Sequence, residues 1–121
     1  MQYEHADVTD RVLCSFYNVY NRLGHGFLEK VYENALAYEL AKQGVSCGQQ
    51  VPLNVKYDDK IVGEYFCDLI VEDKVILEIK VATTLRPEHE AQLLNYLKAT
   101  GIKVGLLLNF GAKPQVKRMV F

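Results

Sequence analysis

Residues 64–81 read EYFCDLIVEDKVILEIKV, two apolar runs joined by a short acidic turn. Each run has the length and residue types of a strand, and Glu72, Asp73 and Lys74 form the turn between them. The hairpin carries Asp68, Glu78 and Lys80 at positions where another Val or Leu would satisfy the pattern. Charged groups beside a core are costly unless they are paired or bound to an ion. Alternation puts Glu78 and Lys80 on one face of their strand with Ile76, while Val75, Leu77, Ile79 and Val81 point to the other. Asp68 lies near the end of the preceding strand, so the turn can bring all three charges onto one sheet surface.

Two carboxylates ~4 Å apart repel by about 4 kcal/mol at an effective dielectric near ~20. One ammonium relieves part of that repulsion. A divalent cation relieves more, and Mg²⁺ takes carboxylate oxygens while leaving positions to water and phosphate. In such a site the cation polarises a phosphodiester oxygen and turns bound water into a nucleophile. A neighbouring lysine orients that water and stabilises the oxyanion. The pattern D-x₉-E-x-K supplies each of these parts. The same residues also suit a strand with a cross-strand ion pair on a solvated face.

Outward from the hairpin, the chain reads as the order ααβββαβ(β). Val8, Val12, Phe16, Val19 and Leu23 form the stripe of a first helix, with Thr9 or Asp10 as cap and Gly24 as stop. A second helix is predicted from about Phe27 to Gln43, with Leu28, Val31, Ala35, Leu36 and Leu40 inward and Gly44 as its end. In VPLNVKY the period changes to two, and DDK turns that strand back into IVGEYFCDLIV. A third helix spans about Glu88 to Thr100, with Ala91, Leu94 and Leu97 inward and Gly101 as stop. KVGLLLNF is a buried strand and VKRMVF an optional edge strand. The fold class is mixed α/β, a central sheet flanked by helices, with a parallel crossover through the third helix.

The 121 residues, 50% hydrophobic and 24% charged, fit one domain over 1–121. No apolar run approaches the roughly 18 residues of a membrane span, and no signal pattern opens the chain, so the expectation is a cytoplasmic protein without a membrane partner. Cys14, Cys47 and Cys67 show no CxxC spacing, which speaks against a disulfide framework or zinc knuckle and reads as three small buried hydrophobes. The three histidines are too scattered for a zinc site, and His25, between two glycines without a paired carboxylate, makes a poor general base. Residues 1–73 carry a balance of −6 and residues 74–121 one of +5, so the C-terminal half, with Arg86, Lys113, Lys117 and Arg118, offers either a phosphate-attracting surface or ordinary solvated charge.

Two helical motifs add to the hairpin. GHGFLEKVYENAL has the form G-x-x-E-x-x-Y at Gly26, Glu29 and Tyr32, and Glu29 falls in the first helical turn, where a carboxylate is favoured. Glu33 shares its face and has no lysine four residues on. In QLLNY, Gln92 and Tyr96 are four apart on one face of the third helix, with His89 nearby, a pair able to hydrogen-bond a phosphate or base.

Taken in order, GFLEKVY, CDLIV, LEIKV, HEAQLLNYLKATG and GLLLNFG resemble the GxxExxY protein family, from about Asp10 to Phe121. That family is similar to the PD-(D/E)xK nucleases, on the branch with RecB-type and phage lambda-type exonuclease sites. Cys67 stands where the literal motif has proline. The resemblance implies a restriction-endonuclease-like core, Mg²⁺ or Mn²⁺ as cofactor, and metal ligands at Asp68, Glu78 and the backbone carbonyl of Ile79. It implies that Glu29 completes the acidic cluster, that Lys80 is the motif lysine, and that Gln92 and Tyr96 flank the scissile phosphate. The expected activity is phosphodiester hydrolysis of nucleic acid, DNA before RNA, with a second copy or an accessory protein enclosing the duplex. The alternatives are a non-catalytic module that binds nucleic acid or protein, and a regulatory or structural domain whose charged face is only solvated.

Overall fold

A computed structural model describes residues 4–121. The helices are α1 (Ala6–Leu23), α2 (Glu29–Lys42) and α3 (Pro87–Thr100), and the strands are β1 (Cys47–Tyr57), β2 (Lys60–Val71), β3 (Val75–Lys80), β4 (Val104–Phe110) and β5 (Pro114–Val120). The chain order is the one the sequence pattern predicts, with the final edge strand present.

The acidic turn closes tightly. Glu72 and Asp73 have φ of 53° and 56°, and the Lys74 N–H donates to the Val71 carbonyl at 2.9 Å. Two successive left-handed residues give a turn whose twist matches that of the flanking strands. The five strands lie in the order β1-β2-β3-β4-β5, all neighbours antiparallel except β3 and β4, which run parallel from Val75↔Val104 to Lys80↔Asn109. The parallel pair needs a crossover, and α3 provides it.

The period-two pattern of β3 sorts its side chains into two cores. Val75, Leu77 and Ile79 join Val12, Phe16, Tyr32, Leu36 and Phe110 under α1 and α2. Ile76 joins Leu53, Cys67, Leu93, Tyr96 and Leu97 under α3. The sheet is thus sandwiched between helical layers, the arrangement that buries a strand on both faces. At Gly105 of β4 a Cβ would come within 2.7 Å of Leu93, so the glycine lets α3 sit close.

Several local readings change. α1 begins at Ala6, and Thr9, expected as a cap, is buried within it and donates its hydroxyl to the Ala6 carbonyl at 3.2 Å. α2 is rotated relative to its predicted inward face. Leu28 and Val31 are 81% and 40% exposed, whereas Tyr32, Glu33, Leu36 and Leu40 are buried. The cause is Tyr32, whose ring stacks on Phe110 at 4.4 Å and whose hydroxyl donates to the Gly24 carbonyl at 2.6 Å. α3 likewise buries Leu93, Tyr96 and Leu97 and leaves Ala91 and Leu94 exposed. Of the three free cysteines only Cys67 is buried; Cys47 is half-buried and Cys14 exposed. Among the described residues no helix is long and apolar enough to cross a membrane.

Candidate active site

The last register pair between β2 and β3 is Leu69↔Leu77, and the two acidic residues lie just beyond it. There the side chain of each strand takes over from the backbone ladder. The Ile79 N–H donates to Asp68 Oδ2 at 2.8 Å, and the Asp68 N–H points to Glu78 Oε1 at 3.4 Å. The carbonyl of a strand residue projects from the same edge as its N–H, so that of Ile79 faces Asp68. Asp68 is half-buried, while Glu78 is 2% exposed. Burial first, and then the charge of Asp68, push the Glu78 carboxyl up to about 9; Lys80 offsets only part of this. Burial first, and then the carboxyls of Glu78 and Asp68, push the Cys67 thiol up to about 12, and burial followed by Glu78 raises the Tyr96 phenol.

Lys80 lies on the Glu78 face, one residue beyond Ile79, and its Nζ donates to Gln92 Oε1 at 2.6 Å. Gln92 Nε2 then donates to the Tyr96 hydroxyl at 3.1 Å. A lysine ammonium can only donate, so it dictates which end of the Gln92 amide turns toward it. The Tyr96 ring lies 5.6 Å from that of Tyr65 on β2. His89 stands apart from this line, its Nδ1 accepting the Arg86 N–H at 3.0 Å at the start of α3.

The backbone leaving Lys80 is held by two residues that sequence reasoning missed. Asn109, fully buried on β4, accepts the Ala82 N–H at 2.9 Å and donates to the Ala82 carbonyl at 3.0 Å. Gln115 Oε1 accepts from Asn109 Nδ2 at 3.0 Å and from the Leu85 N–H at 3.1 Å. The signal was a lone amide inside the apolar run GLLLNF.

On α2 the structure does not gather the predicted glutamate with the others. Glu29 is exposed on the first turn, and among the described residues no group of three or more His, Cys, Asp or Glu side chains could hold a metal ion. Glu33, one turn later and 3% exposed, is the helix carboxylate connected to the site. Its Oε2 accepts from Lys30 at 2.9 Å and Gln49 at 2.8 Å, and its Oε1 accepts from Gln50 Nε2 at 2.7 Å. The same Gln50 nitrogen lies 3.3 Å from Asp68 Oδ1. The missing lysine four residues after Glu33 was the available signal; its cation is Lys30, three residues before it.

Lys113 and Lys117 are exposed, and Arg118 Nη2 donates to the Glu4 carbonyl at 2.7 Å. A hollow of about 520 Å³ lined by Asn34, Tyr38 and Gln49 lies against α2 and β1 and includes neither Asp68 nor Glu78. The chemistry, and not the concavity, therefore locates the candidate site.

The donors fit a hard divalent cation. Asp68 and Glu78 offer carboxylate oxygens whose mutual repulsion a cation would relieve, and the Ile79 carbonyl would add a neutral oxygen beside them. Mg²⁺ commonly takes one or two carboxylates and fills its remaining positions with water and phosphate.

No curated protein matches the chain. Among solved structures, the one described as "Crystal structure of SSO0001" superposes with a TM-score of 0.61 at 17% identity, over 76% of this chain and 50% of that one. This chain thus spans about half the length of that protein, and the likeness is one of fold. The sequence model of the PD-(D/E)XK nuclease superfamily matches residues 6–119, from the start of α1 to the penultimate residue of β5. With a five-stranded mixed sheet between helices, and with Asp68, Glu78 and Lys80 just beyond the point where β2 and β3 stop pairing, the chain belongs to the PD-(D/E)XK nuclease superfamily.

Proposed function

We propose that this protein is a divalent-metal-dependent nuclease that hydrolyses phosphodiester bonds, with DNA favoured over RNA. The observation that carries the reading is that Asp68 and Glu78 meet where β2 and β3 part, while Lys80, on the Glu78 face of β3, is held by Gln92 and through it by Tyr96. Asp68, Glu78 and the Ile79 carbonyl would hold Mg²⁺ or Mn²⁺. When bound, such an ion supplies Lewis-acid polarisation of the phosphodiester and lowers the pKa of water. Lys80, on the Glu78 face of β3, stabilises charge developing on the phosphate. Gln92 fixes the position of Lys80, and with Tyr96 offers hydrogen bonds to the phosphate beside it.

The test is cleavage of end-labelled and circular DNA and RNA, single- and double-stranded, in Mg²⁺, Mn²⁺ or EDTA, with Asp68→Ala in parallel. Metal-dependent cleavage that Asp68→Ala abolishes supports the reading. Equal cleavage by wild type and Asp68→Ala overturns it.

A second reading, a binding module that keeps the fold without turnover, draws support from there being only two gathered side-chain carboxylates among the described residues. It predicts nucleic-acid affinity that falls steeply with salt and no cleavage even in Mn²⁺.

A further inference from the structure

Gln50 is an exposed residue with an unusual backbone. Its φ is +48°, a left-handed conformation that non-glycine residues adopt sparingly, and its burial offers no compensation. It lies within β1, where the register runs Gln49↔Leu69 and then Val51↔Cys67. Gln50 and Asp68, which would face each other between those pairs, both drop out of the ladder. The departure frees two backbones at the point where Asp68 enters the site.

The Gln50 side chain makes use of that departure. Its Nε2 lies 2.7 Å from Glu33 Oε1 and 3.3 Å from Asp68 Oδ1. Both neighbours are acceptors when ionised, so only the NH₂ end of the amide can face them, and its two hydrogens suffice for one bond to each. Glu33 is a firm anchor, since Lys30 and Gln49 hold its other oxygen. Asp68 Oδ2 is already taken by the Ile79 N–H. Gln50 therefore fixes the second oxygen, and with it the plane of the carboxylate.

We infer that Gln50 is a positioning residue: its left-handed backbone and bridging amide tie Asp68 to α2 through Glu33 and set the carboxylate in the orientation that metal binding requires. The inference rests on the metal-dependent reading above. A strand position that needed only a left-handed residue would be served better by glycine. Gln at this position has a reason to be there only if its amide is used.

Three variants separate the backbone from the amide. Gln50→Gly keeps the left-handed conformation and removes the amide. Gln50→Met keeps the length and removes the donor, and it decides the matter if the glycine variant does not fold. Asp68→Asn tests the metal reading itself. Mn²⁺ binding is measured by calorimetric titration of the intact protein, beside thermal melting in EDTA.

Loss of a residue that orients a metal ligand costs about 10–100-fold in affinity. Gln50→Gly and Gln50→Met are expected to weaken Mn²⁺ binding by that factor, while Gln50→Gly melts in EDTA at or above the wild-type temperature. Wild-type Mn²⁺ affinity in either folded variant overturns the inference and leaves the metal reading standing. Absence of saturable Mn²⁺ binding to wild type, or its persistence in Asp68→Asn, defeats the metal reading and this inference with it.

Discussion

Glu78 provides the sharpest quantitative test. The folded protein, without metal, holds the Glu78 proton up to about pH 9, whereas the unfolded chain releases it near the ordinary carboxyl value of 4.5. Between those limits folding takes up one proton, so stability is fully present below the unfolded value and falls as pH rises toward the folded one. The slope is about 1.4 kcal/mol per pH unit. From pH 6 to pH 8, in EDTA, this group alone removes about 3 kcal/mol. That is a large share of the roughly 5–15 kcal/mol of a typical domain. Glu78→Gln imitates the protonated carboxyl in shape and does not titrate, so its stability loses this slope. The assay is urea denaturation of both proteins at pH 6, 7 and 8 in EDTA. The expected result is that the variant gains on the wild type as pH rises and is the more stable at pH 8. Adding Mn²⁺ at pH 8 then restores the wild type and leaves the variant unchanged, because binding to the folded state alone stabilises it. Parallel pH profiles for the two proteins would refute the argument that burial and Asp68 hold the Glu78 proton.

Other perturbations test the scaffold around the site. Gly111→Ala would put a Cβ 2.1 Å from the Ala82 carbonyl; it is expected to destabilise by about 1–3 kcal/mol in urea titrations, as overpacking does. Glu33→Ala removes the acceptor that Lys30, Gln49 and Gln50 share and should cost about 1–3 kcal/mol, while the exposed Glu29→Ala should stay within about 0.5 kcal/mol; chemical denaturation of the pair checks the contrast. Gln92→Ala frees the Lys80 ammonium from its 2.6 Å partner, and the expected outcome is a fall of about 10²-fold in cleavage rate with the Mn²⁺-dependent rise in melting temperature retained. A proportionate loss of both would place Gln92 in the metal site instead.

Much of the architecture was legible because it depends on local periods. Alternation along VILEIK placed Glu78 and Lys80 with Ile76, and the two cores divide β3 in the same way. The stops at Gly24, Gly44 and Gly101 also followed from local chemistry, since each sits at positive φ where a helix ends. The spacing of Gln92 and Tyr96 put them on one face, and they are hydrogen-bonded there.

What the sequence determined by itself was therefore which residues share a face, in what order the elements come, and that two carboxylates and a lysine interrupt apolar strands. Only the tertiary structure decided which face of each helix turns inward. Along α2 and its N-cap the apolar residues Leu28, Val31, Tyr32, Leu36 and Leu40 spread over one broad arc, and a period of ~3.6 does not say which part of it turns inward. The choice came from Phe110, far along the chain on β4, against which Tyr32 stacks. That packing buries Glu33, whereas Glu29, on the same face one turn earlier, lies in solvent at the start of the helix. The roles of Gln50 and Asn109 were hidden for the same reason. Each acts through partners distant in sequence, and a hydrogen bond between remote residues leaves no period to read.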